Sequence, residues 1–247
     1  MSNPMDARTH FTQRAARYNV SSHWVSDPEI GKFVWSKLSP RATDSVLDVA
    51  CGTGQVSAIF KGRVAKVTGA DITEAMFEQA RPHVDELVMA PGEKLPFADG
   101  TFDIATCRQG IQFMDDARAV REMVRVVKPG GKVCLIHLCA YGEEDKAEYF
   151  EILRLRNEAR KNFYLRGDLA RLLVNAGAPE VHLHDWVSVE DVDVWSNTGA
   201  IREEDREAIR NVYRTASPAF LELHAAKVGD RIVDHMLFGV AIGVKPR

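Results

Sequence analysis

Beyond Ser39-Pro40 the chain alternates between short apolar clusters and longer amphipathic stretches. The pattern predicts strand 45–50 then helix 54–61, strand 65–71 then helix 73–82, and a short strand near 86–90. Strand 102–107, helix 115–127 and strand 132–139 follow. Strands alternating with helices imply a parallel sheet covered by helices on both faces. Lys128-Pro129-Gly130-Gly131 reads as a turn that stops a helix and re-aims the chain into a strand. Upstream, 6–18 and 27–38 read as helices, the second announced by Ser26-Asp27-Pro28.

The rhythm changes after 140. Residues 144–163 read as one long charged helix and 169–177 as a helix ending at a glycine cap. Residues 181–189 read as a strand, 191–230 as mostly helical, and 233–244 as a last apolar strand. Two insertions, 141–164 and 191–231, therefore interrupt the late sheet, and insertions of that length commonly cover a site. The expectation is a single domain over 1–247 with amino-terminal helices in 1–40.

The chain's 247 residues, 45% hydrophobic, suffice for one such domain. Net charge is −3 with no dense Lys/Arg run, which disfavours nucleic acid as the main partner. No signal peptide and no apolar run of roughly 18 residues is present, so no membrane span is expected. Cys51, Cys107, Cys134 and Cys139 include no C-x-x-C pair and read as reduced, mostly buried thiols of a cytoplasmic protein.

Chemistry concentrates at the predicted strand ends, where open parallel sheets bind ligands. The segment 46–57, Val-Leu-Asp-Val-Ala-Cys-Gly-Thr-Gly-Gln-Val-Ser, is an apolar strand, an acid, a glycine turn and a helix start. Gly52 and Gly54 permit close backbone approach to a ligand. Ser57 stands where the third glycine of a dinucleotide fingerprint would be, so the turn fits S-adenosylmethionine (SAM) better than NAD. Asp48 can hold the ammonium of the methionine part, directly or through water. Ala50, Cys51, Gly52, Thr53, Gly54 and Gln55 supply backbone around the cofactor. Asp71 falls roughly 17 residues beyond Gly54, near the spacing of an acid that accepts both ribose hydroxyls. With Thr73 available as the helix cap, Asp71 is free for that task, and Ile72 and Met76 would line an adenine slot. Gly92 and Glu93 are candidates for the adenine amino group. Arg108 and Gln109 follow strand 102–107, with Gln112 within reach of cofactor or substrate.

Several segments resemble the small-molecule branch of class I SAM-dependent methyltransferases, which includes the ubiquinone/menaquinone-biosynthesis C-methyltransferases. They are 46–54, Gly69-Ala70-Asp71, Leu95-Pro96-Phe97, Phe102-Asp103, and 122–131, Glu-Met-Val-Arg-Val-Val-Lys-Pro-Gly-Gly. Phe11 to Tyr18, Phe-x-x-x-Ala-x-x-Tyr, is similar to that branch's first helix, and Tyr18 would close over the cofactor. The family often has an Asp that reads adenine where this chain has Pro91. The resemblance covers somewhat over half the chain. It implies a Rossmann-like, seven-stranded mixed α/β sheet of order 3-2-1-4-5-7-6, last strand antiparallel, with helical cap insertions. It also implies methyl transfer from SAM, leaving S-adenosylhomocysteine, to a small aromatic or quinone-like acceptor at oxygen or carbon. A phenol or activated carbon acceptor can require a base. His23, beside Trp24, and His137, near the end of strand 132–139, are the candidates. A lone strand histidine is more often structural.

Trp24, Gln112, Trp195 and Asn197 are expected to line the acceptor pocket, under a lid built from 10–24, 141–164 and 191–225. Arg154, Arg156, Arg160, Arg166, Arg171 and Lys161 could attract an anionic substrate. Interspersed Glu151, Glu158 and Asp168 favour a solvated helical face instead. His182 and His184 share a strand face without a third ligand, so no metal site is expected. Two other functions fit parts of the pattern: a non-catalytic SAM-binding regulatory module, and an NAD(P)-dependent oxidoreductase, which Ser57 disfavours. Oligomeric state is not encoded in these features.

Overall fold

The computed structural model describes residues 7–14 and 23–247. Within them the chain builds one sheet of order β3-β2-β1-β4-β5-β8-β6. Its strands are β1 (Ser45–Val49), β2 (Lys66–Asp71), β3 (Glu86–Met89), β4 (Phe102–Arg108), β5 (Val127–Leu138), β6 (Glu180–Asp191) and β8 (Ile232–Val244). A two-residue strand, β7 (Lys227–Val228), pairs only with β8. Without β7 the order is the expected 3-2-1-4-5-7-6. β1 to β5 pair in parallel, and β8 runs antiparallel between β5 and β6.

Side chains alternate across the pleat, as the two-residue period of a strand requires. Val46, Ile104, Cys134, Ile136, Phe238 and Val240 face one apolar layer, and Leu47, Ala105, Val133, Leu135, Leu237 and Ala241 the other. On the first face lie α2 (His23–Ser26), α3 (Pro28–Leu38), α7 (Lys146–Arg156), α9 (Val192–Ser196), α10 (Glu203–Thr215) and α11 (Pro218–Leu223). The second carries α6 (Asp116–Val126) and α8 (Arg166–Asn175). α1 (Ala7–Arg14), α4 (Ser57–Phe60) and α5 (Phe77–Ala80) complete the helices.

Local chemistry sets the boundaries. Asp27 caps α3 by accepting from the Glu29 amide, with Pro28 in the first turn. Asp115 caps α6 through the Arg118 amide. Gly177, at φ +97°, follows α8, and Ala178 N–H returns to the Leu173 carbonyl. The Pro129-Gly130-Gly131 turn lies inside β5: Phe102 pairs with Val127, but Ile104 already pairs with Lys132. A Cβ on Gly131 would come within 2.6 Å of the Asp103 carbonyl, so only glycine fits this bulge. All four cysteines are free and buried.

Two helices are shorter than their sequence pattern. The expected 54–61 helix is four residues of α4, and the expected 144–163 helix ends at Arg156. Asn157 at its end donates its amide to the Arg154 carbonyl, and the chain turns back across the strand ends. No helix among the described residues is long and apolar enough to cross a membrane.

Candidate active site

The carboxyl ends of β1, β2 and β4 open into a cavity of 330 Å³. Ala50 and Gly52 line it after β1, and Asp71, Ile72, Thr73 and Met76 after β2. Pro91, Gly92 and Glu93 follow β3, and Arg108 to Gly110, Phe113 and Met114 follow β4. Arg8 and Phe11 of α1 and Lys161 cover it from outside the sheet.

Backbone geometry is unusual at this edge. Ala50 and Gln109 both hold φ +53°, the left-handed region that non-glycine residues seldom occupy. They leave parallel neighbouring strands at the same level, and each bends its chain sharply away from the sheet. Gly110 fills the gap between them, where a Cβ would come within 2.6 Å of Ala50 Cβ and 2.7 Å of Cys107 Sγ. At Gly52 (φ +54°) a Cβ would meet nothing within 4 Å, so the turn leaves open space beside its backbone.

Asp71 ties the first two strand ends together. Its Oδ2 accepts from Gly52 N–H at 2.9 Å and its Oδ1 from Thr73 N–H at 2.8 Å. Burial raises its pKa, partly offset by those amides. The Thr73 side chain makes no cap hydrogen bond, so Asp71 itself takes the Thr73 amide, contrary to the division of labour expected from sequence. The Thr73 hydroxyl and the Ile72 amide also approach the carboxylate, whose oxygens form part of the cavity wall.

Asp48 is placed differently from the expectation. It is 1% exposed and does not line the cavity. Ser57 Oγ donates to it at 2.7 Å and Thr106 Oγ1 at 3.3 Å. Burial lifts its pKa to about 6 against those bonds. The residue in place of a third glycine thus solvates a buried carboxylate. Removing a hydrogen bond to such a group costs about 1–3 kcal/mol. Ser57→Ala should therefore lower the unfolding free energy by that amount in urea titrations; an unchanged midpoint would show that Asp48 does not depend on Ser57.

Among the other expected cofactor residues, Cys51 and Thr53 are buried. A Cβ on Gly54 would come within 3.0 Å of His83 Cβ. Gln55 faces a separate groove beside α3, because the turn carries the chain away from the strand ends. Glu93 lines the cavity, and its Oε1 accepts from Asp115 N–H at 3.0 Å. Arg125 clamps the loop behind it, donating to the Leu95 and Phe97 carbonyls and pairing with Glu122, which accepts the Leu95 amide. Tyr18 lies outside the described residues.

A second, narrower cavity of 20 Å³ shares Phe11, Gln109 and Phe113 with the first. Trp24, Gln112, Leu153, Arg156, Asn157 and Arg160 complete it. Two of the expected acceptor residues, Trp24 and Gln112, therefore meet there. Glu190 positions α2, accepting from His23 N–H at 3.0 Å and Trp24 N–H at 3.1 Å, and Arg108 donates to the Val25 carbonyl at 3.1 Å.

His23, Trp195 and Asn197 are not brought to either cavity. His23 is exposed, 3.9 Å from Asp27, because the Glu190 contact turns α2 so that Trp24 faces inward. Trp195 is fully buried, covered by the Arg156 guanidinium at 4.3 Å. Asn197 is exposed beyond the end of α9. The insertion carrying them packs outside α7, since the apolar stripe of α10, with Ile209 and Tyr213, finds its partners there. The lid expected from 191–225 does not reach either cavity; those from 10–24 and 141–164 do through Phe11, Trp24 and Leu153 to Lys161. Within 10–24, residues 15–22 lie outside the described residues.

His137, the other candidate base, lines neither cavity. It is 1% exposed, packs edge-on against Tyr164 at 5.8 Å, and neither ring nitrogen has a partner. Burial, with the Arg160 charge as a second cause, lowers its pKa to about 3. It is therefore neutral across the physiological range.

Sequence reasoning missed Arg8, Phe11 and Asn157 as cavity residues and read Arg160 and Lys161 as solvated. Arg154 pairs with Glu151, Arg166 with Asp185 and Arg171 with Asp168, as a solvated face would. Arg160, half-buried, departs from that set because the helix stops before it, while Lys161 stays exposed at the cavity's edge. Lys161 and Asn162 amides both donate to the Gln112 carbonyl, at 2.8 and 3.1 Å, and Asn162 Nδ2 donates to the Met114 carbonyl at 3.0 Å. An asparagine ending a charged helix was the one available signal.

Residues 47–135 match the family model described as a methyltransferase domain. The chain is 33% identical over 144 residues to a ubiquinone/menaquinone biosynthesis C-methyltransferase of Geobacter sp., covering 52% of this chain and 61% of that protein. It is 34% identical over 130 residues to a malonyl-[acyl-carrier protein] O-methyltransferase of Pseudescherichia vulneris, covering 51% of each. The chain thus spans roughly half the length of the curated relatives it matches. The crystal structure of the YcgJ protein of Bacillus subtilis superposes with a TM-score of 0.82 at 21% identity. That match covers 90% of this chain and 100% of that one, a likeness of fold.

Proposed function

Since the chain carries a class I SAM-dependent methyltransferase domain resembling the quinone-biosynthesis C-methyltransferases, we propose that the protein methylates a small molecule from SAM. The acceptor is aromatic or quinone-like and takes the methyl at oxygen or carbon. Relatives named as a C- and as an O-methyltransferase both match, which supports leaving both atoms in the reading.

The observation that carries it is the pairing of Asp71 with the Gly52 amide at the edge of an open cavity. The residues fit the cofactor. Asp71 would offer its carboxylate oxygens to a ribose diol, and the bare side of Gly52 admits a ligand against backbone. Ile72 and Met76 would flank the adenine, with Gly92 and Glu93 in the same cavity wall. Backbone groups at Ala50, Arg108 and Gln109 would hold the methionine part. When bound, SAM supplies an electrophilic methyl group. The protein's part is alignment and the exclusion of water, which can account for much of the acceleration of a displacement. Phe11, Trp24 and Phe113 supply apolar cover. A proton released by the acceptor must leave by another route than His137, which is neutral but walled off, or His23, which is exposed.

Isothermal titration tests the cofactor. S-adenosylhomocysteine should bind with micromolar or tighter affinity and NAD should not; the reverse pattern would refute the reading. Incubation with methyl-labelled SAM and a panel of phenols, quinols and aromatic acids then separates an enzyme from a regulatory module. Tight S-adenosylhomocysteine binding without label transfer would favour the module.

A further inference from the structure

The second cavity holds an unusual collection of unused hydrogen-bonding atoms. Gln112 is 1% exposed, Asn157 5% and Gln109 9%. Gln112 Oε1, Asn157 Nδ2 and Gln109 Nε2 are buried without a partner, and so is Trp24 Nε1 on the same wall. Buried polar atoms are nearly always paired, because each orphan costs its full desolvation. Four orphans lining one cavity mark a place where a ligand completes the bonding.

The amide orientations follow from Arg160. A guanidinium has only N–H donors, so the atom of Gln109 that it meets at 3.3 Å must be the carbonyl oxygen. That oxygen also accepts Gln112 Nε2 at 2.9 Å. Gln109 is left with a free NH₂, and Gln112 with a free carbonyl oxygen. Asn157 Oδ1 accepts from the Ala159 amide at 3.0 Å, which leaves its NH₂ free as well.

Arg160 itself has no carboxylate partner among the described residues. Its two hydrogen bonds, to Gln109 Oε1 and to the Asn162 carbonyl at 3.4 Å, are long and go to neutral acceptors. Arg160 is half-buried, and a charge drawn partly out of water is costly unless compensated. Here it stands beside a cavity proposed to hold a second cation, the sulfonium.

We propose that the acceptor carries a carboxylate that seats in this second cavity between Arg160, Asn157, Gln109 and the Trp24 indole N–H, with Gln112 accepting a hydroxyl and Phe113 against the conjugated skeleton. The inference rests on the methyl-transfer reading of the adjoining cavity. A carboxylate is favoured over a phenolate because the donors are four separate groups, enough for two oxygens, whereas a phenolate presents one. At 20 Å³ the cavity holds about one water-sized group, so a carboxylate enters it oxygen first. The skeleton must therefore extend through the shared wall of Phe11, Gln109 and Phe113 toward the larger cavity.

Benzoate and benzamide, equal in shape and different in charge, are the probes. Ligand-observed NMR titrations of the full chain at neutral pH, with and without S-adenosylhomocysteine, should show benzoate binding at least tenfold more tightly than benzamide. Arg160→Met should abolish that preference and leave the S-adenosylhomocysteine dissociation constant within about twofold. Arg160→Lys, which keeps the charge, should retain part of the preference and guards against a folding defect in the methionine variant. Equal binding of the two probes, binding of neither, or a preference that survives Arg160→Met would overturn the carboxylate site. Failure of S-adenosylhomocysteine to bind while benzoate discrimination persists would instead sink the methyl-transfer reading and leave the anion site standing.

Discussion

Replacing His224 by alanine should destabilise the protein by about 3–5 kcal/mol, the cost of removing one partner from a buried ion pair. His224 is fully buried. Its Nδ1 lies 2.7 Å from Asp234 Oδ1 and its Nε2 3.0 Å from Asp145 Oδ2. Tyr213 Oη donates to the other Asp234 oxygen at 2.5 Å, and Asp145 accepts the amides of Tyr141 and Gly142. The ring stacks on Phe220 at 4.1 Å, nearly parallel. One imidazolium thus joins α11, the strand β8, the turn before α7 and, through Tyr213, α10. Alanine would leave two buried carboxylates facing a hole. Urea unfolding at neutral pH measures the loss; less than about 1 kcal/mol would mean that the network is not formed in solution.

The same group sets a pH dependence. Burial disfavours the charged ring, but the bonds to Asp145 and Asp234 outweigh it and lift His224 to about 9. A folded-state value above the unfolded one of about 6.5 contributes stability that is complete below pH 6.5 and is lost as pH rises through 9. The shift corresponds to roughly 3 kcal/mol. His137 has the opposite sign. Burial depresses it to about 3, so the unfolded chain takes up a proton that the folded one refuses, and stability falls as pH drops below 6.5. These two histidines together place the summit of the unfolding free energy near pH 6.5. His224→Gln should flatten the alkaline limb and His137→Leu the acid limb; limbs unchanged in both variants would assign the profile to other groups.

The second large effect is expected at the proposed cofactor cavity. Asp71→Ala should weaken S-adenosylhomocysteine binding roughly ten- to a hundredfold, since charge-assisted hydrogen bonds are worth about 1.5–3 kcal/mol. Asp71 also holds the Gly52 and Thr73 amides, so its loss could act by loosening the turn. Adenosine and 2′,3′-dideoxyadenosine separate the two routes. The wild-type protein should prefer adenosine by a similar factor, and the alanine variant should not distinguish them. If a folded variant binds S-adenosylhomocysteine as the wild type does, Asp71 has no part in the site.

The alternation of strand and helix between 45 and 139, the last apolar strand, and the glycine turn were all legible along the chain. Each follows from local rules: a two-residue period, a helical stripe, a cap, a φ that only glycine accepts cheaply. Asp71 and Gly52 could be placed at neighbouring strand ends because the parallel topology leaves every strand end on one edge. The sequence could not show that Asp48 would be turned onto Ser57, since a carboxylate at a strand end can face either the ligand or the first helix. It could not show that the charged helix beginning near 144 stops at Arg156. Helical periodicity continues through Arg160 and Lys161, and what breaks it is a pair of distant amide bonds to the Gln112 carbonyl. Trp195 went to the core and Trp24 to the cavity for the same kind of reason. Both are aromatic residues in short helices, and which one lines a cavity depends on contacts with Glu190 and Arg156 from elsewhere in the chain. Backbone conformation is written in neighbouring residues, so the sequence by itself determined the elements and the glycine turn. Desolvation and pairing of polar groups are settled among residues far apart in the chain, so only the tertiary structure decided which charges lie at the surface and which line a cavity.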